Sequence, residues 1–422
     1  MKISEAGVKP STGSNGPSTV RTIIGAVAFI AMVLSFAPGA SAKPADSAQR
    51  AAAGAAWLTS QLEDGIPIEQ WGSPDWGITI EAASALAAAD ATNPKITAVW
   101  DALVADRDNV VAKGGADVPG TLAKVILLAH SIDKNPRAVG TAPGADLVQR
   151  LVDTMQGSGL YGSQSPNYDG VYRQGLALAA LASAGVSPDE RAVSWLVDQQ
   201  CTNDAFDGAF VPFRSDTSVP CSDDPESWFG ADTNATALAI TGLNAAAKGN
   251  AGADGSVAKA LSWLASVQED ADGWAANSWS PVDPNSTAVV IQALIATGHL
   301  DDDDLNGEGG GPLAALGGFQ SDKQGDGEQS AGWFFFPGME GPNVMATVQA
   351  VPALASKPLI FKAVSSPTTP TTSTPTTSVP TTTAPPTSTT TTVAEVKGVT
   401  SVAGNTGAAA AGVNERPISF TG

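Results

Sequence analysis

Histidine and cysteine are nearly absent, with two of each among 422 residues. His130 and His299 stand far apart, and neither Cys201 nor Cys221 belongs to a Cys-x-x-Cys pair. Zinc and redox centres are built from these residue types at short spacing, so neither is expected, and no cofactor is. Basic residues are scarce: 22 Lys and Arg oppose 42 Asp and Glu, a net charge of −20. Such a surface repels nucleic acid and anionic lipid, which excludes both as partners. No Ser/His/Asp set and no phosphate-binding loop is apparent. The apolar run at 22–36 falls short of the ~20 residues of a membrane span.

That run follows Arg21 and precedes Ala40-Ser-Ala42, a small-x-small cleavage pattern. It predicts a secretory signal peptide over 1–42, against the alternative of a membrane anchor. Cleavage would leave 380 residues. The segment removed holds Lys2, Lys9 and Arg21 against Glu5, so the remainder would carry −22. In an oxidising compartment Cys201 and Cys221 are expected to form a disulfide, worth about 3 kcal/mol for a loop this short. At the other end, residues 363–393 are dominated by Thr, Pro and Ser and cannot bury a core. Residues 394–422 form a small-residue tail ending Ile418-Ser-Phe-Thr-Gly422. Those five residues resemble a sortase sorting signal, with Ser419 where Pro is usual. The resemblance implies a secreted protein attached to the cell wall or surface.

Between these ends, 43–362, lies an internal repeat. Trp57-Leu-Thr-Ser-Gln61, Trp195-Leu-Val-Asp-Gln-Gln200 and Trp263-Leu-Ala-Ser-Val-Gln268 open three units, and weaker versions begin near Val99, Leu147 and Leu313. Each is followed by an Ala-rich helix: Thr79–Ala89, Gly120–Ser131, Val171–Gly185, Thr236–Ala247, Thr287–Gly298 and Met345–Ala355. A helix that is apolar all round is buried all round. The first helix of each pair carries charge on one side and should face solvent. Six such pairs predict an all-α fold, an α6/α6 toroid with six outer and six inner helices. Trp57, Trp195 and Trp263 should pack between the layers, and Gln61, Gln200 and Gln268 should bond helix ends.

Arg191-Ala-Val-Ser-Trp-Leu-Val-Asp-Gln-Gln200 and Lys259-Ala-Leu-Ser-Trp-Leu-Ala-Ser-Val-Gln268 resemble the repeat of squalene cyclases and protein prenyltransferases. Asn343-Val-Met-Ala-Thr-Val-Gln-Ala350 is closer to secreted bacterial transcobalamin-like proteins. The resemblance spans about Ala45 to Phe361 and implies the toroid. A prenyltransferase reading lacks the Asp/Cys/His zinc set. Class II cyclases carry Asp-x-Asp-Asp-Thr-Ala, whose middle Asp donates a proton. Here the aligned units read Asp232-Thr-Asn-Ala-Thr-Ala237 and Asp283-Pro-Asn-Ser-Thr-Ala288. The middle positions are Asn234 and Asn285, and an amide cannot supply that proton. Asp301-Asp-Asp-Asp304 satisfies the pattern but reads first as a solvated acidic loop.

What remains is a rim of aromatic and polar residues: Asp75, Trp76, Tyr168, Tyr172, Trp228, Asp232, Asn234, Asp283, Asn285 and Asn343. Their structural reading is helix capping, above all for Asp232 and Asp283. Their functional reading is recognition of a polar, ring-bearing ligand. The expectation is a non-catalytic binding module without catalytic residues, for a small molecule such as the corrinoid that transcobalamin-like resemblance implies. The alternatives are a terpene cyclase-like enzyme using Asp301–Asp304 and a structural or adhesive surface domain.

Overall fold

The computed structural model describes residues 47–363 other than 63–66, 71, 164–167, 223–229, 270–271, 306–309, 322–331 and 340. The expected signal peptide, the linker beyond Ala363 and the tail lie outside these residues, as does Trp228. The chain divides into Met1–Pro44 and Ala45–Gly422, and the described residues belong to the second unit.

Outer and inner helices alternate along the chain. Outer α1 (Ser47–Gln61) leads to inner α2 (Trp76–Ala89), and α3 (Pro94–Ala105) with short α4 (Arg107–Val111) leads to α5 (Pro119–Ser131). Then α6 (Leu147–Asp153) precedes α7 (Gly170–Ser183), and α8 (Glu190–Asp198) precedes α9 (Thr233–Ala246). Last come α10 (Ala251–Ser266) with α11 (Pro284–Thr297), and α12 (Pro312–Gly317) with α13 (Val344–Leu354). The inner helices pack in the order α2, α5, α7, α9, α11, α13, and α13 packs on α2, so the ring closes. α1 packs on α2, α12 and α13 and covers the seam. Two two-residue hairpins, Glu69–Gln70 with Ser73–Pro74 and Ala112–Lys113 with Ala116–Asp117, lie in the loops before α2 and α5.

Small residues let the inner helices crowd. A Cβ on Gly175 would stand 2.4 Å from the Leu238 carbonyl oxygen, and one on Gly242 2.6 Å from that of Gly175. Only glycine permits this approach of α7 to α9. The outer α8 shows the complementary pattern: Ala192, Val193 and Leu196 are buried, while Glu190 and Arg191 are exposed.

A hydrogen-bond scheme repeats from unit to unit. Thr79, Thr236, Thr287 and Thr347 on inner helices accept, through Oγ1, from the backbone N–H of Ile68, Phe210, Trp274 and Phe334 at 2.8–3.0 Å. These bonds fix each inter-helix loop to the inner helix that follows. In α7, Gln174 replaces the threonine, and its Oε1 accepts from Tyr161 N–H at 3.0 Å. Each threonine lies four residues after the capping Asp75, Asp232, Asp283 or Asn343, whose side chain accepts from the third N–H beyond it. The caps explain why α2, α9 and α11 begin about one turn before the expected starts at Thr79, Thr236 and Thr287, and α13 one residue before Met345.

The repeat glutamines join neighbouring units. Gln200 Nε2 donates to Gly208 O and to Ser256 O of α10, and Gln268 Nε2 to Asp272 O and Leu305 O. Gln320 Nε2 donates to Gly332 O at 2.9 Å and to Arg50 O of α1 at 2.7 Å, tying the last pair to the first. Gln61 donates to Ser60 Oγ. Trp57 and Trp263 are buried, whereas Trp195 is half-buried. Cys201 and Cys221 are disulfide-bonded, and Asn203 braces the same loop through two hydrogen bonds to the Cys221 backbone.

Candidate functional site

The helix period shows which residues face the ring axis. The threonine position of each inner helix bonds outward, to the loop that precedes it. A residue two places away is turned by ~200° and points the opposite way. Two places after Thr79, Gln174, Thr236, Thr287 and Thr347 stand Glu81, Leu176, Leu238, Val289 and Gln349, and Lys124 follows the corresponding Leu122 of α5. Apart from Lys124, which is buried, these residues are half-buried although their neighbours on either side are mostly fully buried. Two bonds between adjacent helices confirm the assignment. Lys124 Nζ pairs with Glu81 Oε1 at 2.8 Å, and Asn285, two places before Thr287, donates through Nδ2 to Gln349 Oε1 at 2.8 Å. These positions therefore line the axial side of the ring, its lumen.

At the end of the lumen where the inner helices start, two acids are buried. Asp232 is 8% exposed and Asp283 2%. Asp232 Oδ1 caps α9 by accepting from Ala235 N–H at 2.7 Å, and its carboxyl also bonds the hydroxyl of Tyr172, two places before Gln174 on the axis side of α7. Burial pushes the Asp232 carboxyl up to about 7; the Ala235 N–H and Tyr172 pull it down, and nearby Asp283 adds to the rise. Burial likewise raises Asp283 and holds the Tyr172 hydroxyl well above its ordinary range. Asp283 caps α11 through Ser286 N–H at 2.9 Å and accepts from Ser286 Oγ at 2.7 Å. Asn234 donates to the same Ser286 Oγ at 3.0 Å. Tyr172, Asp232, Asn234, Ser286 and Asp283 thus form one buried cluster across the starts of α7, α9 and α11. A carboxyl that titrates near neutrality can hold a proton and release it to a bound molecule.

The other rim residues are spread out. Asp75 and Asn343 cap α2 and α13 and are half-buried, as are Trp76 and Asn285. Tyr168 is 41% exposed, with its ring 5.2 Å from that of Phe213. Trp228 lies outside the described residues. Asp301–Asp304 are exposed and follow the end of α11, at the opposite end of the ring from the cluster. Among the described residues, no group of three or more His, Cys, Asp or Glu is placed to hold a metal ion.

Sequence reading missed Glu81, Lys124 and Gln349. The recurring Asp/Asn-x-x-x-Thr would have located Glu81 and Gln349, because the lumen position lies two residues beyond each threonine.

The closed double ring is an α/α toroid. No protein-family model and no curated protein matches the sequence. Among solved structures, the unsaturated glucuronyl hydrolase of Bacillus sp. GL1 superposes with a TM-score of 0.50 at 14% identity, over 73% of this chain and 95% of that one. A glucuronyl hydrolase specific for heparin gives 0.50 at 11% identity, over 74% and 95%. A type II terpene cyclase from Scytonema gives 0.50 at 16% identity, over 74% and 96%. These likenesses establish the fold. The expectation of a non-catalytic corrinoid-type binding module is corrected here, since the three solved toroids named are described as enzymes and none of them as a corrinoid binder. That expectation rested on the amides Asn234 and Asn285, and it took Asp232 for a helix cap or ligand contact and not for an acid.

Proposed function

We propose that this toroid is an acid catalyst of terpene cyclase type, with Asp232 as the proton donor. The observation that carries the reading is the buried Asp232 carboxyl, held near neutrality beside Tyr172 at the edge of the lumen. In this scheme Asp232 transfers its proton to an alkene carbon of the substrate. The cation is captured by a second double bond of the same molecule, closing a ring. Loss of a proton from an adjacent carbon then restores an alkene, so substrate and product are isomers. Asp232 takes up a proton again from solvent. Asn234 and Asp283 act as positioning residues through Ser286. The donor differs from the one expected by alignment, and Asp301–Asp304 take no part. Asn343–Ala350, the stretch resembling transcobalamin-like proteins, supplies the lumen residue Gln349 and has no part in the proton transfer. We further propose, from Ala40-Ser-Ala42 and the Thr/Pro-rich segment, that the enzyme acts outside the cell, attached to its surface.

The test is incubation with squalene, farnesol and geranylgeraniol in D2O, followed by mass spectrometry. A cyclised isomer one mass unit heavier is expected. Asp232→Asn should lower its formation by about 10²-fold or more, the range for a lost general acid, and Asp301→Asn should leave it unchanged. Equal turnover by Asp232→Asn, or no isomer from any of the three, overturns the proposal.

A further inference from the structure

The six lumen positions are not mixed around the ring. In packing order they read Gln349, Glu81, Lys124 on α13, α2 and α5, then Leu176, Leu238, Val289 on α7, α9 and α11. At this level one half of the wall is polar and the other half apolar, while one turn nearer the helix starts Tyr172, Asn234 and Asn285 stand on the α7, α9 and α11 side. The polar half is electrically neutral: Lys124, whose side chain is 9% exposed, is matched by Glu81 at 24%. A lone anion entering there meets Glu81, and a lone cation meets Lys124. An uncharged hydroxylated group can instead donate to the Glu81 carboxylate and accept from the Lys124 ammonium. The Asn285–Gln349 amides beside them likewise offer both donor and acceptor atoms. Burying either charge without its partner is costly, which favours a ligand that leaves the pair intact.

We infer that the lumen takes an amphipathic molecule with an apolar chain against Leu176, Leu238 and Val289 and an uncharged, hydroxyl-bearing head against Glu81, Lys124 and Gln349. The inference rests on the proposed function in one respect, that the lumen is where the substrate binds.

The test titrates the full-length chain with octyl β-D-glucopyranoside, octanoate, octyltrimethylammonium and free glucose, below micelle-forming concentrations, by calorimetry. Octyl glucoside should bind at least about tenfold more tightly than each of the others, a difference of ~1.4 kcal/mol. The double variant Glu81→Gln with Lys124→Met removes both charges together. It should erase that preference while binding octanoate no more weakly than the wild type does, with its thermal melt showing that it folds. Equal affinity for the three heads, equal affinity for glucose and octyl glucoside, or no binding overturns the inference. Asp232→Asn should retain octyl glucoside binding. A protein that binds it but turns nothing over therefore sinks the acid-catalyst reading alone. One that turns over a prenyl substrate without discriminating heads sinks this inference alone.

Discussion

Asp232 makes the fold's stability depend on pH in a direction opposite to that of an ordinary salt-bridged carboxylate. Its carboxyl sits at about 7 in the folded protein, against ~3.9 in an unfolded chain. The folded state therefore binds the extra proton. The contribution is fully present below pH ~4 and is lost as pH rises through about 7. A rise of roughly three units corresponds to about 4 kcal/mol in total, of which about 3 kcal/mol is lost between pH 5 and pH 8.5. Asn at this position has nearly the shape of the protonated acid. Its Oδ1 can keep the bond from Ala235 N–H, and its Nδ2 can donate to the Tyr172 oxygen. Asp232→Asn should thus be more stable than the wild type by only about 1.5 kcal/mol at pH 5 and by about 4 kcal/mol at pH 8.5, a gap that widens by about 3 kcal/mol. Burial of Asp283 gives a dependence of the same sign, but that acid is present in both proteins and largely cancels in the difference. Urea unfolding midpoints at pH 5, 7 and 8.5 measure it. If the gap between the two proteins stays constant over that range, Asp232 is not held protonated by burial, and the proposed proton donor loses its basis.

Three further outcomes test the architecture. Gln320→Ala removes the bond to Arg50 O of α1 and the bond to Gly332 O in its own loop and should cost about 2 kcal/mol at ~1 kcal/mol per bond, read as a lower urea midpoint. Gly208→Ala should cost more than about 3 kcal/mol or abolish soluble expression, because Gly208 has φ +97° and a Cβ there would meet Lys259 O at 2.2 Å. Replacing Cys201 and Cys221 together by serine opens a loop with a sequence separation of 20 and should lower stability by about 3 kcal/mol. A thermal melt with and without reductant gives the same comparison on the unaltered chain.

The ring was legible in the sequence because its causes are local. Helices such as Leu176-Ala-Leu-Ala-Ala-Leu-Ala182 have no polar face to show to water, so they belong inside. Outer helices such as Glu190–Asp198 carry both an apolar and a charged side. Even the early starts of the inner helices were written locally, in an acid or amide four residues before each of four threonines. The site was legible only in part. Matching Thr-Ala to the cyclase pattern led to the rim and the unit that hold the buried cluster, then to Asn234 and away from its acid. What raises the Asp232 carboxyl is burial, with Tyr172 from α7 and Asp283 from α11 modifying the effect, and those helices belong to other units. The lumen behaves the same way. Glu81 and Lys124 look like surface charges when α2 and α5 are read separately, and only the packing of α2 on α5 turns them toward each other. Within a closed repeat, position is set by each unit's own sequence, whereas ionisation and lumen chemistry are set by neighbouring units that the local pattern does not contain.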